Sequence, residues 1–353
     1  MSDGPQFLMR VSQEPMARYG KKPELRTVEE LLRWGVINLD KPSGPTSHQV
    51  VAWVKVILNI DKGGHGGTLD PGVTGVLPIA LGRATKAVKV LLTGGKEYIG
   101  VMTLHRDVQR KRLEKIFDDF KGEIYQMPPV RSAVKRQLRT RRIYSSEIIE
   151  FQGRNVLFKV SCQAGTYIRT YCHDMGEALG VGAHMAQLRR SRTGPFLEEK
   201  SVTLHQLKDA YVYWKENNDE GPIRSIILPF ERMFDHLPKI VVKDAAASAV
   251  THGAPLAVVG IIKAEAKIKG GELIAILSTM GEGIAFGRAM MSADEMVREH
   301  NGIAVQVERV LKDDSFPILW RGKGGSFEKQ QPKKFKEDVD ADENANEDDY
   351  EGN

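Results

Sequence analysis

Cysteine is almost missing from this sequence. Cys162 and Cys172 are the only two in 353 residues, and no CxxC pair occurs. A disulfide framework and an all-cysteine zinc site are thereby excluded, and a reducing compartment is expected. No apolar run reaches the roughly 18 residues that cross a bilayer. The first residues lack the apolar core of a signal peptide, so an intracellular protein is expected. A phosphate-binding loop is absent as well. Gly67 and Gly72 have the GxxxxG spacing, but Val73 and Thr74 stand where Lys and Ser/Thr are required. His173 and His184 are too isolated to suggest metal ligands and read as structural. No metal or cofactor site is read from the sequence.

What is present fits a globular chain of one large or two ordinary domains, 41% hydrophobic and 27% charged. The net charge of +5 hides an asymmetry. From Glu337 onward there are nine acidic residues and no Lys or Arg, so the rest of the chain carries +14. A body this basic points to a polyanion, most simply nucleic acid, although a surplus of solubilising lysine would look the same. The acidic tail, poor in aromatics, is expected to be disordered.

The densest signal is Gly63-Gly64-His65-Gly66-Gly67-Thr68-Leu69-Asp70-Pro71, with four glycines in five residues around one histidine. Glycine lets the backbone adopt φ > 0 and admits a close neighbour. Pro71 fixes its own φ and biases Asp70 toward an extended conformation. A pliant loop leading to one fixed acid suits a nucleophile or base. Asp-Pro-Gly is equally an ordinary turn signal.

Upstream, residues 1 to about 30 form a polar lead-in, with a short helix over Val28–Trp34. Gly35 to Lys41 reads as a strand ending at the turn Pro42-Ser43-Gly44-Pro45. Ser47 reads as an N-cap for a helix bearing Val50, Val51, Val54, Ile57 and Leu58. Downstream, Gly75–Leu81 reads as a buried strand and Ala84–Leu92 as a helix. Lys96–Leu104 alternates as a strand, with Tyr98 on the face of Lys96 and Gly100. An amphipathic helix covers 107 to 121. Six Lys/Arg (Arg131, Lys135, Arg136, Arg139, Arg141 and Arg142) follow the pair Pro128-Pro129, a segment suited to tracking a phosphate backbone. Ser132 and Lys135 have SxxK spacing, but no SDN or KTG element accompanies them. Asn155–Cys162 reads as a strand, and Gly165 and Thr166 lead into a helix carrying Arg169 in its first turn. A cation there gains nothing from the helix dipole, so an anionic partner such as Asp70 is expected. His184 to Arg192 forms a short basic element. From Leu237 to Trp320, short apolar runs alternate with glycine turns every ten residues or so, the pattern of a small β-barrel. Lys243 and the turn His252-Gly253-Ala254-Pro255 fall between its runs and are candidate RNA contacts.

In order, GVINLDKPSGPTS, GGHGGTLDP, GVLPIALGRATK, KEY, PPVRSAVK, AGTYIRT and LRRSRTGPF closely resemble the motifs of the TruB family of pseudouridine synthases, over residues 34 to 235. KRQLRTRRIY, where bacterial members have a glycine-containing continuation, resembles the guide-RNA-dependent branch called Cbf5 or dyskerin. Residues 237 to 320 resemble the PUA domain of that branch, with Val259 where Pro is expected. The resemblance implies an α+β catalytic domain with a mixed sheet and flanking helices, followed by a β-barrel PUA domain. The expected divisions are an extension at 1–32, the catalytic domain at 33–235, the PUA domain at 236–320 and the tail at 321–353.

By resemblance Asp70 is the nucleophile, Arg169 its partner, and Tyr98 stacks on the flipped uracil and removes the C5 proton. Leu188 walls the pocket, His65 lies near the displaced base and Lys41 supports the loop; Leu188 as core and His65 as a loop hydrogen-bonder stay open. Isomerisation of uridine needs neither redox change nor group transfer, so no cofactor is implied. Implied partners are an H/ACA guide RNA, substrate rRNA or tRNA, a small Nop-type protein, a Gar-type protein and a kink-turn-binding ribosomal-type protein. The alternatives are a stand-alone tRNA pseudouridine-55 synthase and a non-catalytic RNA-binding scaffold. Without the long Lys-rich tail of eukaryotic relatives, an archaeal-type cytoplasmic protein is expected rather than a nucleolar one.

Overall fold

The computed structural model describes residues 5–11, 19–127, 137–312 and 316. It divides into two compact units, one built from 1–99 and 187–321, the other on 100–186. The first gathers both ends of the described chain.

In the first unit, Gly35–Lys41 is sandwiched between antiparallel neighbours Ile227–Pro229 and Thr74–Leu81. The register Val36↔Ala80 through Lys41↔Gly75 sets Lys41 at the end of the strand pair. Thr74 and Gly75 also pair, in parallel, with Arg189 and Arg190 of the strand Ala183–Thr193. Gly63–His65, expected as loop, is a short strand paired with Ile79–Leu81. The helix Ser47–Leu58 starts one residue after its cap. Thr46, not Ser47, accepts from the Gln49 amide and completes a capping box. The segment expected as one helix over Ala84–Leu92 is a 3-10 turn, Gly82–Ala87, followed by the helix Val88–Thr93.

The same unit holds a seven-stranded sheet, in the order Phe7–Met9, Ile261–Glu265, Lys239–Val242, Leu273–Leu277, Gly283–Ala289, Ile303–Val310, Leu256–Ala257. Its first strand comes from the lead-in segment, with Leu8 opposite Ala264. Arg26, only 2% exposed, grips both oxygens of Glu231 at 2.7 and 2.6 Å, and its guanidinium lies 3.7 Å from Glu282. Lys312 donates to the same oxygen of Glu282. Buried pairs of this kind are costly to break, because an unpartnered charge would remain in the interior. Trp34, Val76, Ala80, Phe230 and Phe234 share one apolar cluster with Ala275 and Phe286 of the seven-stranded sheet and with Leu311 just after its strand Ile303–Val310.

In the second unit, Asn155–Cys162, Arg139–Gln152 and Gly122–Gln126 form an antiparallel meander. The helices Arg110–Asp119 and Ile168–Ala178 accompany it. Phe158 is flanked by Phe117 and Tyr171, and the buried Tyr171 hydroxyl is 2.8 Å from Ser146 Oγ. Burial raises the Tyr171 pKa. Among the described residues no helix is long and apolar enough to cross a membrane.

Candidate active site

Asp70 opens a tight turn, closed by the Val73 amide donating to the Asp70 carbonyl at 3.0 Å, and its side chain is exposed. Two side chains fix this turn from below. Lys41 is fully buried and donates its three ammonium hydrogens to the carbonyls of Pro42, Pro71 and Val73 at 2.9, 3.0 and 2.9 Å. An ammonium with three acceptors is fully satisfied. Burial pulls its pKa below the ordinary lysine value, and attraction to Asp70 opposes that shift. Ser47 Oγ accepts from the Leu69 amide at 2.9 Å and donates to the Leu69 carbonyl at 3.1 Å. As the first residue of its helix rather than the cap, Ser47 has its hydroxyl free for this loop.

On the glycine stretch, Gly66 packs so closely on Leu91 that a Cβ would lie 2.8 Å from it. Gly67 has φ +122°, in the region that favours glycine. The His65 ring meets His48 edge-on, with centroids 5.0 Å apart. Burial lowers the His65 pKa to about 4, and His48 and Arg190 add to the effect. It is therefore neutral near pH 7.

Tyr98 is 8% exposed, on the same buried strand face as Lys96. Lys96 Nζ donates to the Leu91 and Gly94 carbonyls at 2.8 and 2.7 Å, fixing the start of the strand. Arg190 also reaches this region, and the sequence did not single it out. It is 1% exposed and donates from Nε to the Val76 carbonyl at 2.8 Å and from Nη2 to the Gly67 carbonyl at 2.9 Å. Burial lowers its pKa, while a hydrogen bond to the Tyr98 side chain and attraction to it act the other way. Gly75 makes this approach possible, since a Cβ there would lie 2.3 Å from the Arg190 carbonyl oxygen. Arg189, its neighbour, forms a fork with both oxygens of Asp40 at 3.0 Å and also binds Glu198. Leu188, just before it, is half-buried.

One unit thus gathers Lys41, His65, Asp70, Tyr98 and Arg190 around a braced turn with an exposed carboxylate. Arg169 is in the second unit, exposed, as the second residue of Ile168–Ala178. The Thr166 hydroxyl does not cap that helix and instead donates to the Gln163 carbonyl.

Of the candidate RNA contacts, Arg131, Lys135 and Arg136 lie outside the described residues. Arg139, Arg141 and Arg142 begin the long strand Arg139–Gln152. Arg141 is partly committed to the Gly165 and Thr140 carbonyls, whereas Arg142 is exposed. Lys243 precedes the helix Asp244–Thr251 and donates to the Val259 carbonyl at 3.0 Å. His252 ends that helix, its Nδ1 2.7 Å from the Ser248 carbonyl. Gly253 has φ +94° with open space where a Cβ would be, leaving its backbone accessible.

Comparison with known proteins gives the class. Residues 55–168 match the N-terminal domain of TruB family pseudouridylate synthases, and 169–235 the C-terminal domain of tRNA pseudouridylate synthase B. Residues 238–311 match the PUA domain and 1–51 the DKCLD (NUC011) domain. A braced aspartate turn on a mixed sheet, joined to a PUA domain, is the architecture of an RNA pseudouridine synthase. The chain belongs to the TruB family, in its archaeal-type Cbf5/dyskerin branch. It is 53% identical to a probable tRNA pseudouridine synthase B of Methanopyrus kandleri, over 89% of this chain and 94% of that protein. Identity to the Pyrococcus furiosus protein of the same name is 54%, over 86% and 89%. Among solved structures, a chain of a Cbf5-Nop10-Gar1 complex superposes with TM-score 0.83 at 52% identity, covering 88% of this chain and 95% of that one. A chain from an H/ACA RNP bound to a substrate RNA containing 2′-deoxyuridine gives 0.83 at 49%, covering 90% and 98%.

Proposed function

We propose that this chain converts uridine to pseudouridine in RNA as the catalytic subunit of a guide-directed H/ACA particle. The observation that carries the reading is the exposed Asp70 on a turn held by Lys41 and Ser47, in a chain about half identical to one found with substrate RNA in an H/ACA RNP. Residues 33–235 carry the chemistry and 236–320 bind RNA, with the extension 1–32 joined to the latter and 321–353 as an acidic tail.

Asp70 acts as nucleophile, either at C1′ of the ribose or at C6 of the base. On both routes the N1–C1′ bond breaks, the uracil turns, a C5–C1′ bond forms, C5 loses a proton and N1 gains one. Reactant and product are isomers, so the protein has only to supply a nucleophile, a path for the C5 proton and a pocket for a base taken out of its stack. Arg169 supplies the cation the reaction calls for, Tyr98 stacks on the base and serves C5, and Leu188 and neutral His65 border the pocket. Partners are a guide RNA, a small Nop-type protein, a Gar-type protein and a kink-turn-binding ribosomal-type protein, and the setting is the cytoplasm. The names of the curated relatives favour a second activity, on tRNA.

The test is reconstitution of the full chain with and without guide RNA, on a tRNA transcript and a ribosomal fragment. Modification of the ribosomal fragment only with guide is expected. Asp70→Asn should end turnover while RNA affinity stays within a few-fold, since phosphate contacts dominate binding. Multiple turnover by Asp70→Asn would remove the nucleophile assignment.

A further inference from the structure

We infer that Arg190 is a positioning residue whose guanidinium staples together the two stems of the loop carrying Asp70. The inference rests on the reading of Asp70 as nucleophile above. The loop grows out of an antiparallel ladder. Gly63, Gly64 and His65 pair with Leu81, Ala80 and Ile79, and the Gly66 amide donates to the Pro78 carbonyl at 2.9 Å. The strand Gly63–His65 has ended by then. One residue further along the first stem and two along the other, the carbonyls of Gly67 and Val76 both accept from Arg190. Nη2 reaches Gly67 at 2.9 Å and Nε reaches Val76 at 2.8 Å. Residues 68 to 75 lie between these points, with Asp70 among them.

A planar guanidinium sets its nitrogens at a fixed spacing, so two carbonyls held by one fork are held at a fixed separation. The fork is itself anchored. Arg190 pairs in parallel with Gly75, where a Cβ would lie 2.3 Å from the Arg190 carbonyl oxygen. Lys41 and Ser47 hold the inner part of the same loop at Pro71, Val73 and Leu69, and Arg190 closes it at its base. Burying a cation is costly, and an apolar side chain of similar size would avoid that cost. Arg190 is 1% exposed, so its presence is explained by what its donors hold. A side chain this deeply buried is out of reach of a phosphate backbone, the main source of RNA affinity. Its loss therefore falls on the rate at which Asp70 reaches carbon and not on binding.

Full-length Arg190→Met is assayed in the guide-loaded particle, with the single-turnover rate at saturating substrate RNA and the RNA affinity measured separately. The saturated rate is expected to fall by about 30- to 100-fold, the scale of a displacement near 1 Å, with affinity within about 3-fold. In the free chain, hydrogen exchange at the Leu69 and Val73 amides should quicken by about 10-fold. Arg10→Met is the matched control. Arg10 Nη1 also holds two main-chain carbonyls, Met296 at 2.7 Å and Val297 at 3.0 Å, in a helix of the barrel, Ala293–Arg298. Its loss should leave the saturated rate within about 3-fold, as for a site that shares no partner with the loop. A saturated rate within about 3-fold in Arg190→Met would overturn the inference. So would a loss confined to RNA affinity, or an equal slowing in Arg10→Met. If Arg190→Met does not fold, Arg190→Lys decides alone, because it keeps the charge but sets one nitrogen back at the root of the fork. It should slow by about 10-fold with the same quickened exchange, and an unchanged rate would overturn the inference. Asp70→Asn separates the two layers. Turnover by that variant means the reading of the site has failed, whereas an inactive Asp70→Asn beside fully active Arg190 variants means only the staple has failed.

Discussion

Replacing Lys41 by Met tests whether the turn under Asp70 is braced as the geometry indicates. The substitution keeps the aliphatic stem and removes three donors. The bond to the Val73 carbonyl is buried, while those to Pro42 and Pro71 are partly open to water. A buried acceptor left without a partner costs about 1–3 kcal/mol, and one that water can reach costs well under that. Removing a buried cation gives some of this back, as the lowered Lys41 pKa implies. The net loss of stability should be about 2 kcal/mol, read as a shift of the urea midpoint at unchanged slope. Activity should suffer more than stability. A displacement near 1 Å at a reacting group costs about 100-fold in rate, and Lys41 holds the two carbonyls that bracket the turn after Asp70. Single-turnover pseudouridylation should therefore fall by that order, and hydrogen exchange at the Val73 amide should quicken. A Lys41→Met chain with unchanged midpoint and a rate within about 3-fold would refute the idea that this lysine positions Asp70.

Two further outcomes are open to measurement. If the Tyr98 ring serves mainly by stacking, Tyr98→Phe stays active and Tyr98→Ala loses about 1–3 kcal/mol of substrate binding; if the hydroxyl handles the C5 proton, both fail, and equal activity in all three forms removes Tyr98 from the site. His65 and His236 both have pKa values lowered to about 4 by burial, so the folded state resists two protons that the unfolded chain accepts near 6.5. Their contribution is complete above pH 6.5 and is lost as pH falls toward 4, at up to about 2.7 kcal/mol per pH unit for two protons. Urea midpoints measured across this window should flatten by about half in His236→Gln, and an unchanged slope would place the sensitivity elsewhere.

Much of the site was legible because its parts are local. Glycine density, the Asp-Pro turn and the alternation that puts Tyr98 on the face of Lys96 are patterns of a few residues, and the structure reproduces the strands Gly35–Lys41, Lys96–Leu104 and Asn155–Cys162. Arg190 was not legible. In Leu188-Arg189-Arg190-Ser191-Arg192 it is one cation among three, and only tertiary packing shows that Arg189 faces Asp40 and Glu198 while Arg190 is buried against the Val76 and Gly67 carbonyls. Ser47 was misassigned as a cap for a related reason. Thr46 and Ser47 have equivalent local chemistry, and the Leu69 backbone that claims Ser47 is 22 residues away. The pairing of Phe7–Met9 with Ile261–Glu265 left no signal in either segment, since a three-residue strand carries too little periodicity to name its partner.

That pairing also orders events in time. Leu8 finds Ala264 only after some 256 further residues have been made, and at about 5–20 residues per second a ribosome needs on the order of 10–50 s to make them. Arg26 likewise waits 205 residues for Glu231 and longer for Glu282, and Trp34 and Phe230 lack Phe286 and Leu311 as cover until those are made. The aspartate turn can be complete in sequence long before the unit that holds it closes. A chain stopped near Arg232 keeps the motifs around Asp70 but leaves that shared cluster open, with Trp34 and Phe230 short of the side chains that cover them.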